Sequence, residues 1–201
     1  MRLSVLIPTI QGREKEFTKL YNFLIEQLNV NNLGGDVEIL HLSDNKEISI
    51  GLKRDKLYKM AKGLFSVMID DDDTVSSEFL VEIISAINKG DCDCIGYFEH
   101  CTINGQVQKS LISLTVNQWQ SHDIPINGFH HRRTPFFKVP IKTEICQKVG
   151  VKDMRYAEDH DFAIRIYPLL KKENFIYRDM YYYTANSLTK QDHDKRYGIT
   201  K

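Results

Sequence analysis

Four consecutive aspartates, Asp70, Asp71, Asp72 and Asp73, close an apolar run, LFSVMI at 64–69. The run reads as a buried strand, and acids at its carboxyl end fall where open α/β sheets place their sites. In extended backbone alternate side chains share a face, so Asp70 and Asp72 are expected to point one way and Asp71 and Asp73 the other. Two carboxylates on one face, with no basic residue adjacent in sequence, repel unless a cation stands between them. Mn²⁺ or Mg²⁺ suits that role, because hard cations take oxygen ligands and keep positions open for phosphate. The plainer alternative is an acidic turn capping a helix that begins near Ser76 or Ser77.

Two further stretches are chemical in character. Glu158-Asp159-His160-Asp161 opens a helical pattern, where acids are favoured by the helix dipole. Asp161 and Arg165 lie four apart on that helix and are spaced to pair. His130-His131-Arg132-Arg133-Thr134-Pro135, with Lys138 after it, is a concentrated positive patch. It belongs to 118–139, which mixes Trp, His, Arg and Pro with little periodicity and reads as a site-forming loop region.

Those residues need elements to hold them. Residues 3–7 form an apolar strand that enters Pro8-Thr9, and Gly12-Arg13 follows as a loop. Phe17, Leu20, Tyr21, Leu24, Ile25 and Leu28 recur at helical spacing over 14–28. A strand at 37–42 stops at Ser43-Asp44-Asn45, and a helix over 51–61 is closed by Gly63. The acid-tipped strand comes next, then a helix at 77–88 and a strand at 92–98. Repeated β-α-β units imply an α/β fold with a doubly wound, mainly parallel sheet. Further on, Asn104-Gly105 signals a hairpin. Helices are expected at 142–149 and 162–170, a tyrosine-rich strand at 175–184, and a charged, mobile tail from Gln191.

Composition bounds the function classes. A chain of 201 residues suits one sizeable core and is short for two, so a single domain is expected. Its 27 Lys and Arg balance 27 Asp and Glu, which leaves no global electrostatic footprint for nucleic acid or an anionic membrane. The opening MRLSVLIPTI is too short an apolar run for a signal peptide, and no later stretch reaches spanning length. A soluble, cytoplasmic protein is expected. Cys92, Cys94, Cys101 and Cys146 lack the paired CxxC spacing of a zinc site and read as reduced, structural thiols.

Together these residues carry a resemblance. Gly51, Arg54-Asp55, Ala61 and Gly63 run into Ile69 and the acids with the spacing of a G-xx-R-[ND], A-x-G, DxD block. Ile7-Pro8-Thr9 precedes that block, and Glu158-Asp159-His160-Asp161-Phe162 with Arg165 follows as an ED motif. In this the chain resembles glycosyltransferase family 2 enzymes of the GT-A (nucleotide-diphospho-sugar transferase) fold over about residues 1–190, and is similar to their small bacteriophage-type members. The resemblance implies a nucleotide-sugar-binding half at 1–100 and an acceptor-binding half at 101–190. It implies transfer of a sugar, with inversion, from a nucleotide-diphosphate donor, a UDP-sugar first among them, to an acceptor hydroxyl. Phage-type members point to a hydroxymethylated pyrimidine in DNA as one acceptor, and a host cytoplasm as the location; glycan and protein hydroxyls stand beside it, and a sugar-nucleotidyltransferase or a non-catalytic nucleotide-sugar-binding relative is the alternative to a transferase.

The resemblance also implies roles. Pro8 and Thr9 would line the base and ribose pocket, with Asp44 near the base, although Ser43 stands where many relatives carry the first of two acids. Arg54 would approach the nucleotide or its phosphates. Asp70 would lie nearer the ribose, with Asp71 beside it in the donor site, and Asp72 would ligate the metal together with Asp70. His193 would complete the metal shell, with His130 and His131 as alternatives. Asp159 would be the general base that accepts the proton of the attacking hydroxyl. The basic patch would close over the diphosphate or meet an anionic acceptor such as DNA, or be a solvated loop. A metal bridging both phosphates would neutralise charge on the departing diphosphate.

Overall fold

A computed structural model describes residues 1–185, so His193 and the tail expected to be mobile lie outside the described residues. β1 (Leu3–Ile10) is buried along nearly its whole length, as a strand covered on both faces must be. It pairs in parallel with β2 (Val37–Asp44) on one side and β3 (Phe65–Met68) on the other. Both β1 and β2 run farther than their apolar runs, because the parallel register continues through Thr9 opposite Ser43 and Ile10 opposite Asp44.

Helices α1 (Glu14–Val30) and α2 (Ile50–Met60) make the first two crossovers. The Ser49 hydroxyl caps α2 by accepting from the Leu52 N–H at 3.0 Å. Gly63 is not the helix terminator that its position suggested, since α2 ends at Ala61 with an extended backbone. It is needed because β1 passes so closely that a Cβ there would lie 2.6 Å from the Leu3 carbonyl carbon. Gly51 has the same kind of reason: a Cβ on it would lie 2.0 Å from the Lys152 carbonyl oxygen. Two of the motif's glycines are therefore close-approach positions.

The short β4 (Thr74–Val75) and α3 (Phe79–Asn88) lead to β5 (Cys94–Ile103), which turns through Asn104-Gly105 into β6 (Gln106–Ile112) as expected. The region expected to be an irregular loop is instead mostly a second hairpin, β7 (Gln120–Ile126) and β8 (Phe129–Arg133). Its turn, Asn127-Gly128, repeats the left-handed φ values of Asn104-Gly105, at 52° and 83°. β9 (Ile141–Lys142) ties β3 to β5, and α4 (Thr143–Val149) and α5 (Glu158–Ile166) follow. Pro168 ends the last helical stretch as a single 3₁₀ turn, Tyr167–Leu169. β10 (Glu173–Ala185) then lies parallel to β5 and antiparallel to β4.

The sheet order is β2-β1-β3-β9-β5-β6-β8-β7, with β10 beside β5 and β4. Parallel pairing dominates around β1 and between β5 and β10, and the hairpins add antiparallel strands on the far side. The result is a mixed α/β fold whose core is built on Leu3, Val5 and Leu6 of β1, Val67 of β3 and Phe79 of α3. All four cysteines are buried and unpaired. Among the described residues no helix is long and apolar enough to cross a membrane.

Candidate active site

A cleft of about 940 Å³ opens at the carboxyl ends of β1 and β3 and extends beneath β8 and the start of α5. Its floor is the aspartate run. β3 stops at Met68, and the Asp73 N–H donates to the Asp70 carbonyl at 3.0 Å, so the acids occupy a tight turn. The alternation expected of extended backbone is therefore absent, and Asp70 does not share a partner with Asp72.

Each acid meets its own partners. Asp70 accepts from the Arg54 guanidinium at 2.9 Å. Asp71, almost fully buried, accepts from the Thr9 hydroxyl at 2.6 Å and from Arg13 Nη1 at 2.6 Å. Asp72, half exposed, meets the same Arg13 nitrogen at 3.0 Å. Asp73 accepts from the Tyr181 hydroxyl at 2.6 Å and lies 3.4 Å from Lys138 Nζ. Burial pushes the Asp73 carboxyl up to about 7; Asp70 and Asp72 add to that and Lys138 opposes it. Burial disfavours charge on Lys138, yet Glu99 at 2.9 Å, with Asp73 and Asp70, holds its pKa above the ordinary value. The cations absent from the local sequence are thus supplied by distant elements.

Arg54 joins the two acidic motifs. It is buried in α2, its Nη2 on Asp70 and its Nε 3.3 Å from Glu158, with Phe137 stacked 3.9 Å from its guanidinium carbon. Burial works against its charge, but Asp70 and Glu158 outweigh that and raise its pKa. Burial likewise pushes Glu158 up, with Asp159 adding to it and Arg54 opposing. Arg54, expected to approach the nucleotide or its phosphates, lines the cleft and is held there by Asp70 and Glu158.

Asp159 occupies the other wall. Ala157 enters α5 in a left-handed conformation, φ 59°, which costs an L residue about 1 kcal/mol and turns the chain so that Glu158 packs inward. Asp159 lines the cleft, its Oδ1 accepting from the His160 N–H at 2.7 Å, and it forms no ion pair among the described residues. Asp161 pairs with Arg165 at 2.7 Å as its spacing suggested, and with Lys152 at 2.6 Å, fastening α5 to the segment before it.

Part of the cleft lining is apolar, with Pro8, Ile10, Ile48 and Ile50 among its walls. Thr9 lines it too, fixed by its bond to Asp71. Asp44 is not part of the cleft wall: it is paired with Lys53 and accepts from the Ile48 N–H at 3.0 Å. Lys53 and the Ile48 N–H more than offset burial and lower its pKa. The residue that does face the cleft there is Lys53, which also donates to the Thr9 carbonyl.

The basic patch divides by strand alternation. His131 and Arg133 face the cleft; His131 is bonded to Gln108 at 2.6 Å and Ser121 at 3.1 Å, and Arg133 lies over the Trp119 ring at 5.0 Å. His130 instead accepts from the Lys109 N–H on the neighbouring strand. Arg13, Lys53 and Trp119 were not singled out from sequence; Arg13 was discernible as the loop residue at the carboxyl end of β1.

Among the described residues no three His, Cys, Asp or Glu side chains form a metal-holding cluster. Two carboxylates do converge on one cationic point, since Asp71 and Asp72 both reach Arg13 Nη1. A divalent ion held by one or two carboxylates and completed by phosphate oxygens fits that donor set.

No protein-family model matches the chain, and no curated protein matches it in sequence. Solved structures do match in fold. The chain is similar to S. aureus TarS 1-349 over 92% of its own length and 60% of that chain, at 20% identity and a TM-score of 0.65. It is similar to the same protein in complex with UDP-GlcNAc at 17% identity and a TM-score of 0.64, over 94% and 60%. The catalytic domain of Drosophila beta1,4galactosyltransferase 7 in complex with xylobiose gives 12% identity and 0.54, over 90% and 68%. The fold is thus the GT-A type that these transferases share. The chain spans about 60% of the length of TarS 1-349.

Proposed function

We propose that the chain is a metal-dependent, inverting glycosyltransferase that moves a sugar from a nucleotide-diphosphate donor, a UDP-sugar first, to an acceptor hydroxyl. The observation that carries this reading is the Arg54 bridge: one buried guanidinium touches Asp70 at 2.9 Å and Glu158 at 3.3 Å, tying the aspartate turn to the start of α5, and Asp70, Asp71, Asp72 and Asp159 all line one cleft. The likeness of the fold to a UDP-GlcNAc complex supports the choice of donor.

In this reading Pro8, Thr9, Ile10 and Ile48 receive the nucleoside, and Lys53 presents charge beside it. Asp71 and Asp72 hold the divalent ion with the donor diphosphate, and Asp70, fixed by Arg54, faces the ribose. The ion, when bound, offsets charge on the leaving diphosphate. Asp159 accepts the proton of the acceptor hydroxyl as its oxygen bonds to the anomeric carbon, while the glycosidic bond electrons leave with the nucleoside diphosphate. Arg54 and Glu158 are positioning residues that hold the two walls in register.

A panel of nucleotide sugars incubated with the protein and Mn²⁺, assayed for nucleoside diphosphate release and by calorimetry for binding, tests the reading. Saturable binding of one donor, with diphosphate release that chelation abolishes, is expected. Absence of binding across the panel would overturn the reading.

A further inference from the structure

Arg13 sits where two acids converge, and nothing in its local sequence explains why. It follows Gly12, whose φ of 89° turns the chain at the end of β1, and it stands at the entrance to α1 without capping it. Its Nη1 lies 2.6 Å from Asp71 and 3.0 Å from Asp72, and its side chain is 31% exposed. Asp71 has a second anchor in the Thr9 hydroxyl, whereas Asp72 has Arg13 alone as its ion-pair partner among the described residues. If Arg13 withdraws, Asp71 stays in place and two carboxylates confront each other without a counter-charge. Either a tethered guanidinium or a free cation satisfies that geometry, and both cannot occupy it together.

Resting on the proposed function, we infer that Arg13 is a built-in competitor of the divalent ion, holding its place in the donor-free protein and leaving it for the donor's phosphates. Mn²⁺ alone therefore binds weakly, and the diphosphate, by attracting Arg13, opens the ion's place as it arrives. Metal and nucleotide are then coupled through one side chain, and each raises the other's affinity by the same factor.

Mn²⁺ titration followed by electron paramagnetic resonance of the free aqua ion tests this without any turnover. In the donor-free protein Arg13→Gln is expected to bind Mn²⁺ on the order of tenfold more tightly than the parent. Adding Asp72→Asn to that variant should cancel the gain. Arg13→Lys, which keeps a shorter cation, should fall between and guards against a folding defect in the glutamine variant. UDP should raise the parent's Mn²⁺ affinity by a larger factor than it raises that of Arg13→Gln. Equal or weaker Mn²⁺ binding by Arg13→Gln, a gain that survives Asp72→Asn, or equal UDP-induced factors would each overturn the inference. If no variant binds UDP, the transferase reading falls, while the comparison with Mn²⁺ alone still decides the role of Arg13.

Discussion

The two acidic clusters of this molecule answer the same chemical problem in opposite ways. In the turn at Asp70 to Asp73 every carboxylate has a cation of the chain beside it: Arg54, Arg13 or Lys138. At the start of α5, Glu158 is matched by Arg54, but Asp159 forms no ion pair among the described residues and faces the cleft. Pairing alone does not fix the charge of these acids, since burial pushes Asp73 up to about 7 although Lys138 lies beside it. The contrast teaches which acids are tied to other elements of the chain and which one is presented to the cleft, and the proposed reading makes the first holders and the second the base.

The sharpest way to break that contrast is Asp159→Asn, which keeps size and removes the carboxylate proposed as the base. Nucleotide-sugar turnover should fall by about 10²–10⁴-fold, the usual worth of a positioned base, with UDP affinity by calorimetry unchanged. An equal loss in UDP affinity would make Asp159 another holder.

Breaking the bridge between the clusters should be felt in stability. Arg54→Met leaves the buried Glu158 and the part-exposed Asp70 without their shared cation, and removing one partner of a buried pair costs about 3–5 kcal/mol. Urea denaturation measures it, and a cost under about 1 kcal/mol would mean that the acids find other partners. Gly51→Ala tests the same junction through packing. The added methyl would lie 2.0 Å from the Lys152 carbonyl, so α2 and the segment leading to α5 must part, at about 1–3 kcal/mol. Turnover should drop along with stability, because Asp159 rides on that segment.

The smallest effect belongs to Asp161, an ion-paired acid on the helix that carries Asp159. Burial would raise its pKa, but Lys152 and Arg165 outweigh that and lower it. A carboxyl with a depressed folded pKa adds stability above its unfolded value, and that contribution is lost as pH falls through the folded value. Asp161→Asn should therefore cost about 0.3–1 kcal/mol at pH 7 and progressively less below about pH 4. A cost independent of pH would show that packing, not charge, fastens α5.

Legibility differed with range. The strands and helices of the first hundred residues stand near their expected places, because apolar periodicity is a local signal that burial of β1, α1 and α3 obeys. The second hairpin was hidden by its His, Arg and Pro content, although Asn127-Gly128 carries the same turn chemistry as Asn104-Gly105. The aspartates were assumed to continue an extended strand; a four-residue β3 that ends at Met68 gave them a turn instead.

The order of elements, the acids at the carboxyl end of the third strand and the acid pair opening a late helix follow from the chain alone, since each depends on neighbours a few residues away. Which cation meets which acid does not. Arg13 reaches Asp71 across 58 positions, and Arg54 reaches Glu158 across 104. Coulomb attraction depends on distance in space, so only the folded sheet, by bringing β1, α2 and α5 to one edge, decides which of the described carboxylates meet a cation of the chain and which do not.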